Sequence, residues 1–197
     1  MKKKILTALM IFLSSVSLFA AQPFYDTGSQ IFTISAGVAF PDYMAVPKKD
    51  IAGSGMGAEG THLTVGGYGS ITYQVFTSPY IALGGEIGYQ FHFDQSSSVF
   101  TNVPMLFKFT YVPLQGNIEI PLSLTAGINY ISLAGNGKLT LSVGAEVGFR
   151  FFFTDEWGMG INGGVTFVPE FYLKSDRADY NGVSLFSPLT LSAVYRH

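Results

Sequence analysis

Four ionisable side chains stand inside stretches that otherwise avoid charge: Glu86, Lys108, Glu146 and Arg150. Two carboxylates and two bases can pair, or exchange partners, once the fold brings them together. Their flanks set the environment. Leu139, Leu141, Val143, Ala145, Val147, Phe149, Phe151 and Phe153 alternate with Thr140, Ser142, Gly144, Glu146, Gly148, Arg150 and Phe152. Strict alternation means a strand with an apolar face and a polar face. Glu86, Lys108, Glu146 and Arg150 all fall on the polar side of such stretches. Turned into a narrow closed sheet, ionised groups must pair or be hydrated. The sequence thus predicts an ion-pair network plugging the interior, in preference to a gate in which Glu86 exchanges between Lys108 and Arg150.

Other chemistry is sparse. His62, His92 and His197 fall on a loop, an inward strand position and the terminus, with no metal-ligand spacing or nucleophile motif beside them. His92 is expected in the lumen near one mouth. Asp179, Asn181 and Gly182 look faintly like a calcium loop, but Arg177 stands where that motif requires an acid. Gly53–Gly57 lacks the strand–helix context of a phosphate cradle. No enzyme activity, cofactor or metal is expected.

Composition narrows the class. The chain has 197 residues, 23 glycines, 18 Phe, 11 Tyr and no Cys; 12% of residues are charged and 48% hydrophobic. That charge share is about half the usual value for a soluble domain. Lys2, Lys3 and Lys4 precede an apolar run, Ile5–Phe19, too short to span a membrane as a helix. Residues 1–21 therefore read as a cleavable signal peptide and 22–197 as one exported domain. Without Lys2, Lys3 and Lys4 the balance is 8 basic against 13 acidic residues, a formal charge of −5. That disfavours nucleic acid as a partner. Beyond the signal no apolar run is long enough for a membrane helix, so a membrane role requires strands.

Eight alternating segments follow a short polar lead at Gln22–Ser29. They are Ile31–Phe40, Leu63–Phe76, Tyr80–Phe93, Val103–Tyr111, Ile120–Tyr130, Leu139–Phe153, Trp157–Phe167 and Leu189–His197. Thr77–Pro79, Pro113–Asn117 and Thr154–Glu156 are short turns, whereas Pro41–His62 and Val168–Ser184 are long loops. The long connections share one side of the sheet, as do the short ones. The expected fold is all-β: an eight-stranded antiparallel up-and-down transmembrane barrel with short periplasmic turns and longer outer loops. This topology puts Tyr73, Tyr111, Phe153, Trp157 and Tyr195 near one membrane interface. Phe40, Phe93, Tyr130 and Phe167 fall near the other, giving two aromatic girdles.

The C-terminal strand carries a family pattern. Leu189, Leu191, Ala193 and Tyr195 alternate outward, and the chain ends Ser192-Ala193-Val194-Tyr195-Arg196-His197. This resembles the closing strand of small outer-membrane barrels, the OmpW-like family above all, whose members commonly end Ser-x-Gly-Tyr-Arg-Phe. Val194 replaces the Gly and His197 the terminal aromatic. The OmpA-like transmembrane barrel is the near rival; no peptidoglycan-binding domain is expected after Tyr195. The resemblance implies location in the outer membrane of a diderm bacterium, contact with its lipid, and an assembly signal at Leu191, Tyr195 and His197 read by the barrel-assembly machinery. It also implies a porin-like narrow conduit for a small hydrophobic solute. The alternatives are a structural envelope barrel with a plugged lumen, and an adhesin binding a host ligand at its outer loops. A monomer is expected.

Overall fold

The computed structural model describes residues 23–45, 55–94, 97–133, 136–170 and 182–197. The expected signal peptide and much of both long loops lie outside these residues. Eight strands form the wall: β1 (Gln30–Ala45), β2 (Gly66–Ser78), β3 (Ile81–Phe93), β4 (Val99–Tyr111), β5 (Leu122–Leu133), β6 (Asn136–Phe152), β7 (Trp157–Glu170) and β8 (Gly182–Arg196). Each pairs antiparallel with its chain neighbour. β1 and β8 close the sheet, with pairing from Ile31 opposite Arg196 to Ala45 opposite Val183. The fold is a closed eight-stranded antiparallel barrel. All peptide-bond donors in such a wall can be satisfied without an open edge, which lipid demands.

The alternation behaves as the sequence implies. Val143, Val147, Phe149 and Phe151 face outward and exposed, while Ser142 and Arg150 are buried on the inner face. The apolar wall thus points outward and the polar positions point in, the reverse of a soluble sheet. Tyr73, Tyr111, Phe153 and Trp157 are exposed at one rim; Phe40, Phe93, Tyr130 and Phe167 are exposed toward the other. Trp157 packs against Tyr195 with ring centroids 4.9 Å apart.

Four expectations change. The strands at the outer rim run longer than the alternation suggested. β1 continues through a bulge at Pro41/Tyr43 to Ala45, β7 to Glu170, and β8 begins at Gly182. Ladder pairing uses backbone groups alone, so it continues there through a broken apolar pattern. Within the Pro41–His62 loop, Gly55–Met56 pairs with Met44 and Tyr43, and a short helix follows at Gly57–Thr61. Leu63 is buried and bridges Asp94 instead of facing lipid. Before β5, Ile118–Glu119 pairs with Phe151 and Arg150 in the same register that Leu122 keeps with Val147. The strand thus extends below Pro121, whose missing N–H interrupts the ladder.

Candidate functional site

The interior is the site, and it is layered. In the middle, Lys108 of β4 sits between two carboxylates. Its Nζ lies 2.7 Å from Glu86 Oε2 and 2.9 Å from Glu146 Oε1. Glu86 is one strand away on β3. Glu146 is two strands away on β6, reached past the smaller Thr125 of β5, which stands opposite Lys108. Glu86 is further fixed by Tyr68, whose hydroxyl donates to Oε1 at 2.7 Å, and by Thr72, which donates to Oε2 at 3.0 Å. Gly88 makes this possible: a Cβ there would come within 3.0 Å of the Tyr68 hydroxyl and of Pro104 Cγ. Below Lys108, Gln74 donates to Thr110 and Thr110 bonds Ser123, forming a belt across β2, β4 and β5.

Arg150 does not join this group, which corrects the expected four-membered cluster. Four residues along β6 from Glu146, it ion-pairs with Glu119 at 3.8 Å. Glu119 also receives Arg196 Nη1 at 2.7 Å and the Tyr25 hydroxyl at 2.7 Å, both on Oε1. Arg196 is held tightly. Its guanidinium lies 3.7 Å from the Phe24 ring centroid and 3.6 Å from that of Phe152. It also donates to the carbonyls of Gly116 and Asp155. Planar guanidinium suits such double stacking, where ammonium would not.

The lead, expected as a short polar segment, packs into the barrel end. Tyr25 is buried and stacks on Phe76 with centroids 3.8 Å apart. Gly28 N–H donates to Phe76 carbonyl, and Phe76 N–H to Ser29 carbonyl. Phe24 N–H donates to the Gln115 side chain. With Ile31, Ala82, Val112, Phe152 and Val194, Tyr25 and Phe76 form an apolar cork across the short-turn end. Burial and the Glu119 charge push the Tyr25 phenol well above its ordinary range, so it stays a neutral donor.

A second apolar layer closes the long-loop end: Leu63, Phe100, Ile131, Val168 and Phe186, with Met44 against it. His92 is fully buried beneath it, stacked on Phe186 at 5.3 Å. One ring nitrogen contacts the Thr64 carbonyl at 2.8 Å and the other the Gln90 amide at 2.7 Å. Between the layers, a cavity of about 20 Å³ remains beside Glu86, Glu146 and Asn102. At the terminus, Leu191 points to the outside and His197 is exposed, its backbone exchanging hydrogen bonds with Gln30. Among the described residues no group of acidic, His or Cys side chains is arranged to hold a metal.

Sequence reasoning missed Glu119, Arg196 and Tyr25. A signal existed for Glu119, which keeps the inward parity of Ser123. Arg196 continues the parity of Thr190 and Ser192. Tyr25 lies outside any periodic stretch and left no mark.

A protein-family model matches residues 17–195. A protein of Treponema pallidum (strain Nichols), itself described as uncharacterized, is 28% identical over 95 residues, or 48% of this chain and 43% of its own length. The matched part therefore spans less than half of that relative. Among solved structures, Neisserial surface protein A superposes with a TM-score of 0.58 at 11% identity, covering 86% of this chain and 97% of that one. The outer membrane protein OprG of Pseudomonas aeruginosa gives 0.46 at 10% identity, covering 87% and 98%. The chain has the fold of the small eight-stranded outer-membrane β-barrels, and its OmpW-like closing strand fits that fold.

Proposed function

We propose that this protein is a closed-lumen envelope barrel, exported by residues 1–21 and seated as a monomer in outer-membrane lipid, that works without catalysis or solute passage. One observation carries the reading: the lumen is blocked at three levels, by the Tyr25–Phe76 cork, the Lys108 bridge and the Phe100–Phe186 cap. An eight-stranded barrel leaves just enough room for its own side chains, and here they take it. The narrow conduit implied by the OmpW-like resemblance would have to cross all three layers. Proteoliposomes carrying the protein should take up labelled glycine or indole no faster than empty vesicles. Uptake well above that background would restore the conduit.

A second reading has its own support. β1, β6 and β8 have 16, 17 and 15 residues, whereas about 9–11 cross a bilayer. The surplus toward the long-loop end supports a rim raised above the lipid. A raised rim suits a barrel that binds a host ligand through 41–62 and 168–184. Leu191, Tyr195 and His197 stay proposed as the contact with the barrel-assembly machinery.

A further inference from the structure

The lead reverses direction just before β1. The Asp26 carbonyl accepts from Ser29 N–H at 3.1 Å, and Gly28 between them has φ +97°. A positive φ at the third position marks a type II turn, which glycine enters at no steric cost. The turn sends Phe24 and Tyr25 back across the short-turn mouth. Their partners there come from opposite ends of the strand order. Tyr25 stacks on Phe76 of β2, while Phe24 lies on the Arg196 guanidinium of β8. In an open sheet β2 and β8 would be six strand spacings apart, about 29 Å at roughly 4.8 Å each. In the closed barrel only β1 stands between them. The two adjacent rings, with centroids 5.2 Å apart, can therefore hold both partners only once β1 has paired with β8. Arg196 sits at the last rung of that seam, opposite Ile31. Beside it Gln30 and His197 exchange backbone hydrogen bonds of 2.7 and 2.9 Å.

We propose that residues 23–29 are a latch that docks only onto the closed barrel and then holds the β1–β8 seam shut. Every other neighbouring pair in the wall is joined by a chain connection as well as by its ladder. β1 and β8 are joined by the ladder alone. The lead supplies the missing link. It is continuous with β1, its turn is bonded to β2 through Gly28 N–H and the Ser29 carbonyl, and its Phe24 ring covers Arg196 of β8. Arg196 is itself fixed by Glu119, by the Phe152 ring and by the carbonyls of Gly116 and Asp155. The ring therefore rests on an immobile side chain, and the seam cannot part at this end without stripping Phe24 from it.

The inference goes beyond the closed-lumen reading, since a barrel that conducts nothing can still have an unlatched seam. Amide hydrogen exchange in phosphatidylcholine vesicles, followed by mass spectrometry, reads the seam directly, because each amide reports the opening of its own ladder. The mature chain is compared with a variant lacking residues 23–27. Loss of the latch should speed exchange in the seam segments 31–35 and 190–195 by about tenfold or more. Segments 107–111 and 122–126 of β4 and β5, at the same end of the barrel, should exchange as before. Equal acceleration in both pairs would make the lead a general stabiliser, and no acceleration at the seam would make it a filler of the mouth; either result overturns the latch. Gly28→Ala is the second variant. A Cβ there meets nothing within 4 Å, yet alanine is strained at φ +97°. It keeps every ring and should speed seam exchange in the same selective pattern, though less than the deletion. Should the deletion not refold, Gly28→Ala decides alone, and unchanged seam exchange in it contradicts the latch.

Discussion

Lys108 is the residue on which the middle of the lumen depends. It is the partner common to Glu86 and Glu146, so the three positions are not equivalent. Glu86→Gln leaves Lys108 with Glu146 and should be mild. Lys108→Met leaves two carboxylates facing each other in a confined space, and should cost about 3–5 kcal/mol. Adding Glu86→Gln and Glu146→Gln to Lys108→Met should recover most of that loss, because an absent network is cheaper than an orphaned charge. Refolding titrations in bilayers measure all three; additive losses would show that the side chains do not interact. At the cork, Tyr25→Phe keeps the stack on Phe76 and removes only the hydroxyl from Glu119. The expected loss is about 1.5–3 kcal/mol, the range for a hydrogen bond to a charged group. The same titration checks it, and an unchanged midpoint would mean the hydroxyl contributes nothing to closure.

At the scale of strands, the sequence was legible wherever one face met lipid and the other the lumen. Val143 is 51% exposed and Ser142 1%, as a period of two requires. Arg in place of Val143 should therefore cost about 2–4 kcal/mol near the bilayer midplane. Ser142→Arg carries no lipid penalty, though it must find room in the lumen. Equal dependence of both losses on bilayer thickness would contradict the facing. Legibility failed where that two-faced rule lapses. At the outer ends of β1, β7 and β8 the apolar alternation breaks while the ladder continues. Glu119 fell in the gap between the expected turn, Pro113–Asn117, and the strand begun at Ile120; Pro121 breaks the ladder between Ile118–Glu119 and β5. The charges at 86, 108, 146 and 150 were readable as inward, but not their grouping. Pairing depends on height along the barrel as well as on face, and height was fixed only once register was.

The whole molecule is a lipid-facing wall around a filled interior, with its long connections at one end. Cys placed at Ser54 or Ser175, in the long loops and outside the described residues, should react with an impermeant maleimide on intact cells. Cys at Ser78, on the short-turn side, should not; the reverse pattern would invert the barrel. The cork ties this orientation to closure, since Phe24 and Tyr25 rest on Arg196 and Phe76 at the short-turn end. Closure itself is most directly tested by single-channel recording of the intact protein in planar bilayers. With the cork, the Lys108 bridge and the outer cap all in place, recordings at neutral pH should show a flat baseline with no discrete current steps. Reproducible unitary openings from the wild-type chain would contradict the closed lumen.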